Sequence, residues 1–118
     1  MSLISFIFII NASLILLHEI ESAYVREWEI LKIPGKITVF LLLHIPILLF
    51  LFWGLVEIEK LTAISQIIAL IAGTGGILPF ILHKVIVRKI GYFDSLTSNI
   101  IIVLNMLAGA TLIVMSLI

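Results

Sequence analysis

The chain has 118 residues, 63% of them hydrophobic and 12% charged, with zero formal net charge and a mean hydropathy of +1.37. A soluble domain carries about a quarter of its residues charged, so most of this surface faces something other than water, and a lipid bilayer is the ordinary answer. The neutral balance gives no nucleic-acid footprint, and the absence of cysteine excludes disulfides, thiolate nucleophiles, thiolate-bound zinc and iron–sulfur clusters.

Four apolar stretches follow one another, over residues 3–17, 37–56, 61–82 and 96–118. The last three reach the roughly 20 residues that cross a ~30 Å hydrocarbon core at 1.5 Å per residue. The first is short, and its helix is expected to continue through His18 into an amphipathic segment ending at residue 30. Met1-Ser2 lacks the basic residues of a signal peptide, so this stretch is read as a retained span. Backbone groups in lipid must be satisfied within their own segment, and long runs without alternation are then helices. Pro34-Gly35 breaks the chain before span two, residues 57–60 turn it before span three, and Gly91 with Asp94 punctuates the last connection. The expected fold is all-α: one domain over residues 1–118, a four-helix transmembrane bundle with spans near 3–30, 37–56, 61–87 and 95–118.

The basic residues orient the bundle. Loops one and three share a side and hold Arg26, Lys32, Lys36, Lys84, Arg88 and Lys89, against Lys60 alone on the other. By the positive-inside rule loops one and three are cytoplasmic and both termini lie outside. The partner implied throughout is the lipid bilayer, and the small-residue stripes of spans three and four suit a homo-oligomer as well as close helix packing.

Ionisable groups at membrane depth are costly, which makes them functional candidates. His18 ends span one, His83 ends span three, and His44 lies about 12 Å into span two from Lys36. Three spans thus place their only histidine in the same cytoplasmic third. Glu21 and Ser22 follow His18 at i+3 and i+4, on nearly the same helix face. Three imidazoles and a carboxylate without any thiolate suit Zn(II), Fe(II) or Mn(II), so His18, Glu21, His44 and His83 are the candidate ligands of a divalent transition metal. Glu21 is alternatively the base that activates a metal-bound water. Glu27 and Glu29 read as a solvated face with Arg26 and Lys32, or Glu27 folds back as ligand or general base.

Polar stripes accompany these residues. Asp94, Ser98, Ile102, Asn105, Gly109, Leu112 and Ser116 share one face of span four, and Asn11, Leu14, His18, Glu21 and Val25 one face of span one. Ser22, Asp94, Ser98 and Asn105 are expected to support the ligands or line the substrate space, although Asn105 reads equally as helix–helix glue. Span three carries Ser65, Ala69, Ala72, Gly76, Phe80 and His83 on one side, and Gly73-Thr74-Gly75-Gly76 before Pro79 weakens its helix. That glycine run lacks the Lys-Ser/Thr ending of a phosphate loop. Trp28 and Trp53 read as interfacial anchors near opposite faces.

His18-Glu19-Ile20-Glu21, Glu27-Trp28, His44-Ile45-Pro46 and His83 together resemble a pattern shared by a family of uncharacterised small bacterial four-span membrane proteins. The resemblance covers most of the chain and implies that these positions belong to one site; it implies no activity. Size and span count also resemble small multidrug-resistance transporters, but the first span here holds Asn11 and no central carboxylate. Three histidines are too few for the membrane di-iron desaturases, and the likeness to alkaline-ceramidase-like hydrolases stops at the inventory of three histidines, an acid and a serine.

Two functions from different classes follow, with a third beside them. One is a membrane metalloenzyme acting on a lipid-like substrate from a His/Glu metal site near the cytoplasmic face. Another is a small transporter or channel, proton-linked through the histidines and gated at the Gly73–Pro79 break. The third is a non-catalytic subunit whose polar stripes meet another membrane protein.

Overall fold

The computed structural model describes residues 1–84 and 95–118. Five helices appear in order: α1 (Leu3–Tyr24), the single turn α2 (Glu27–Ile30), α3 (Lys36–Glu59), α4 (Ser65–Leu82) and α5 (Leu96–Leu117). The fold is all-α, and α1, α3, α4 and α5 are long and apolar enough to cross a membrane. Ser2 and Ser95 set the starts of α1 and α5: each hydroxyl accepts from the backbone N–H three residues on, at 3.3 and 3.1 Å. Gly35 adopts φ +99°, a left-handed turn open to glycine, and from it α3 starts.

The tightest seam joins α4 to α5. A Cβ on Gly109 would stand 2.4 Å from the Gly73 carbonyl oxygen, and one on Gly73 would stand 2.7 Å from that of Gly109. Glycine here brings two backbones together, which is how helices associate where no hydrophobic effect drives them. Asn11 on α1 donates to the Ala72 carbonyl of α4 at 2.8 Å, and Asn105 on α5 is fully buried against Gly76. The small residues that suited an oligomer are therefore consumed inside one chain.

The apolar core fills the half of the bundle away from the histidines, with Phe8, Ile15, Leu51, Ile58, Ile68, Ala69, Ala72 and Leu112. Only Leu51, Gly54 and Ile58 of α3 are buried, all in its C-terminal half. Its N-terminal half, helical through Pro46, holds no buried residue. Both features bear on the site: the core anchors one end, and the looser end of α3 leaves room beside the polar groups.

Candidate metal centre

The site begins where α1 stops. On an unbroken helix Glu27 would lie nine residues, or two and a half turns, beyond His18 and on the opposite face. Instead the helix ends at Tyr24, and Arg26 takes φ 57°, ψ 53°, a left-handed conformation unusual for a non-glycine residue. That reversal turns α2 back over the end of α1. The Ile33 N–H then donates to the Trp28 carbonyl at 2.8 Å and closes the turn. Glu29 stays outside, 3.8 Å from Arg26, whereas Glu27 goes in with only 6% of its surface exposed.

There Glu27 meets two imidazoles. Its Oε2 is 4.0 Å from His18 Nε2 and its Oε1 is 3.9 Å from His83 Nε2. The two rings lie edge to face with centroids 4.6 Å apart. One ligand atom from each of the three residues falls within 4.8 Å of the others. Zinc holds nitrogen and oxygen ligands at about 2.0–2.2 Å, so closure by roughly 1 Å would seat them around one ion. Ser22 lies beneath: its hydroxyl donates to Glu27 Oε2 and stands 3.4 Å from His18 Nε2. Burial pushes the Glu27 carboxyl above its ordinary value; the Ser22 hydrogen bond opposes this, and the charges of Glu19 and Glu21 add to it.

His44 belongs to a neighbouring pair. Its Nδ1 donates to the Phe40 carbonyl at 2.6 Å, its Nε2 is 2.5 Å from Glu19 Oε2, and its ring stacks on Phe40 at 4.0 Å. Both nitrogens are engaged, so neither points a lone pair at His18 and His83. The other Glu19 oxygen is 4.0 Å from His18 Nε2, which links the pair to the centre.

Glu21, expected among the ligands, accepts a hydrogen bond from Ser98 of α5 instead. The buried stripe of α1 runs through Asn11, Ile15, His18 and Ser22, one position out of phase with Leu14 and Glu21. Ser98 is thus tied to α1, and Asn105 sits in the α4–α5 seam away from the imidazoles. Asp94 lies outside the described residues. The structure brings together His18, His83 and Glu27, sets His44 and Glu19 beside them, and adds Ser22. Glu19 was expected at the site only through the His18-Glu19-Ile20-Glu21 pattern, with no role of its own; its adjacency to His18 was visible, but its partner 25 positions away was not.

A cavity of about 530 Å³ adjoins the group. His18, Glu19, Glu27 and His44 form its polar end, and the rest is apolar, from Leu31, Phe40 and Leu43 to Phe50, Ile71 and Leu78. Trp28 is 7% exposed and forms part of the wall, its ring 5.4 Å from Phe40, so it is packed inward where an interfacial anchor was expected.

The chain belongs, over residues 4–118, to a family of unknown function (DUF6713). No curated protein and no solved structure matches it.

Proposed function

We propose that this protein is a membrane-embedded metalloenzyme in which His18, Glu27 and His83 hold a divalent transition metal, Zn, Fe or Mn, near the cytoplasmic face. The observation that carries this reading is the convergence of three buried ligand atoms from α1, α2 and the end of α4. Two imidazoles and one carboxylate form a donor set found in hydrolytic zinc and non-haem iron sites, and they leave coordination positions open. A metal bound there would supply a Lewis acid and an activated water. Ser22 orients the Glu27 carboxylate, as an outer partner of a ligand does. Glu19 and His44, at the polar end of the cavity, are placed to pass a proton to or from a substrate lying in it. The apolar cavity supports a lipid-like substrate.

The basic residues of loops one and three support an orientation with this end at the cytoplasmic leaflet and both termini outside, and the membrane we propose is a bacterial or archaeal cytoplasmic membrane. With no native cysteine, a single cysteine at position 2 or 118 should react with an impermeant maleimide from outside intact cells.

Metal analysis of detergent-purified protein tests the centre. About one metal per chain is expected, lost in His18→Ala and His83→Ala; less than ~0.2 per chain in the wild type, even after metal is supplied, would sink the proposal.

A second reading has an observation of its own. His44, Glu19, His18, Glu27 and His83 form a string with steps of 2.5, 4.0, 4.0 and 3.9 Å. Such a string suits a proton relay in a small transporter. Flux through proteoliposomes that is independent of pH between about 5 and 8 would count against it.

A further inference from the structure

We infer that the cavity beside the His18–Glu27–His83 group binds one acyl chain of a membrane lipid, with the lipid's ester carbonyl accepting a hydrogen bond from the Trp28 indole N–H. This names the substrate class for the proposed metal centre and in that respect rests on it, although the occupancy of the cavity is measured separately.

Three observations converge. The first is the cavity's own polarity. Its polar groups, His18, Glu19, Glu27 and His44, lie at one end, and its apolar lining runs along α3 from Phe40 to Leu51, about 16 Å of helix. A molecule matching that distribution is apolar over most of its length and polar at one end. The cavity also opens sideways, since Leu43, Ile47 and Leu78 of its wall are 50%, 40% and 48% exposed on helices immersed in lipid. A chain can enter from the bilayer without crossing water.

The second observation is Trp28. Its Nε1 is buried, and among the described residues it has no hydrogen-bond partner. An indole nitrogen is a donor only, and a buried donor left unmade is expensive, so such groups are uncommon. Its residue forms part of the cavity wall beside Glu27, and a turn of the ring would bring the buried nitrogen to the cavity surface. An ester oxygen is an acceptor only, and it sits where an acyl chain changes from apolar to polar.

The third is a contrast among glycines. Gly73 and Gly76 are packed against α5, with no space for a Cβ. Gly75, between them in sequence, is different. It lines the cavity, and a Cβ there would meet only Ile15 Cδ1, at an ordinary 3.7 Å. Helix packing does not require glycine at this position. Its absent side chain keeps the passage between Ile15 and α3 open.

Native mass spectrometry of the full chain in detergent, titrated with 1-palmitoyl-2-oleoyl-phosphatidylcholine, tests this. Wild type and Gly75→Ala should carry one lipid per chain at low lipid concentration. Gly75→Leu should need roughly tenfold more lipid or beyond, because its side chain occupies the passage. Trp28→Phe, which keeps the ring and removes the donor, should fall between them. Wild-type protein stripped of metal with a chelator should bind lipid as the metal-loaded protein does, so loss of the metal centre and loss of the lipid site are read apart. Helix content by circular dichroism and metal content identify a Gly75→Leu chain that has not folded; in that event Leu78→Trp, narrowing the same cavity from an exposed position, should give the same loss. Equal lipid binding by wild type and a folded plugging variant overturns the inference. So does a Gly75→Leu variant that converts a dimer to a monomer, which would assign the cavity to a second copy of the chain.

Discussion

His44 and Glu19 are joined by a hydrogen bond of 2.5 Å that settles how many protons the two residues carry between them. His44 Nδ1 faces the Phe40 carbonyl at 2.6 Å, and a carbonyl only accepts, so Nδ1 bears a hydrogen. The contact with Glu19 then requires one more proton, on the ring or on the carboxyl. Either way the pair is neutral overall, which is how two ionisable groups are tolerated at membrane depth. It also leaves His44 without a lone pair to give a metal. His44→Ala is therefore expected to retain metal within about twofold of wild type while lowering stability by about 1–3 kcal/mol, since Glu19 loses its partner. Metal analysis and unfolding in mixed detergent read the two effects. Loss of metal in this variant would restore His44 to the ligand set.

Two glutamates six residues apart should behave oppositely. Glu27→Gln removes a buried oxygen ligand, and metal affinity should fall by about a hundredfold or more. Glu21→Gln disturbs the hydrogen bond from Ser98 of α5 and removes a charge near Glu27 but no ligand atom, so its affinity should stay within about threefold of wild type. Isothermal titration with zinc or manganese compares them directly. The reverse order would return the carboxylate role to Glu21.

This pair also marks how far the sequence could be read. The four apolar runs were legible because each is long enough to cross a bilayer, and hydrocarbon permits few structures other than helices. The convergence of the three histidine-bearing helix ends was legible too, since alternating spans return to the same side. The carboxylate partner was legible only as one of two readings, since Glu27 read either as part of a solvated face or as a ligand or base folded back. Its position depends on Arg26 adopting a left-handed conformation after Val25, and neither residue is a glycine or proline that would announce a break. With the helix continued to residue 30, Glu21 was the nearer acid and Glu27 reached the site only by folding back. The same error of phase placed Glu21, not Ser22, on the buried stripe of α1. The pairing of His44 with Glu19 was hidden for another reason: it depends on how α3 packs beside α1, and a contact between helices across 25 positions leaves no periodicity to find.

Acidity supplies a third expectation. Burial raises the Glu27 carboxyl above its ordinary value of 4.5. The folded, metal-free protein then binds this proton more tightly than the unfolded chain. Its contribution to stability is full below the ordinary value and is lost as pH rises through the raised one. Metal binding runs the other way, because the ligand must be deprotonated, so affinity should climb through that same window. Removing the Ser22 hydroxyl, which favours the charged carboxylate, should move the metal-binding midpoint upward by about one pH unit in Ser22→Ala. His18, Glu19, Glu21, His44 and His83 surround the same group, so the comparison is best made as wild type minus Glu27→Gln at each pH. A midpoint unchanged by Ser22→Ala would remove the hydroxyl from the role assigned to it.

Adjacent glycines in α4 should respond in opposite directions to the same small change. At Gly76 an added Cβ would lie 2.1 Å from Asn11 Oδ1 and 2.9 Å from the Asn105 carbonyl oxygen. The asparagine side chain can swing, but the backbone carbonyl of α5 cannot move without separating the helices. Swinging Asn11 would also weaken the hydrogen bond it donates to the Ala72 carbonyl. Gly76→Ala should therefore destabilise the bundle by about 1–3 kcal/mol. Gly75→Ala meets only Ile15 at van der Waals distance, and alanine is the better helix former by up to about 1 kcal/mol, so this variant should match or exceed wild-type stability. Unfolding in a mixed-micelle titration with dodecyl sulfate, followed by circular dichroism, ranks the three proteins. If Gly76→Ala proved as stable as Gly75→Ala, the close α4–α5 approach would not be what holds this side of the bundle together, and the rigid base on which His83 is presented to Glu27 would need another source.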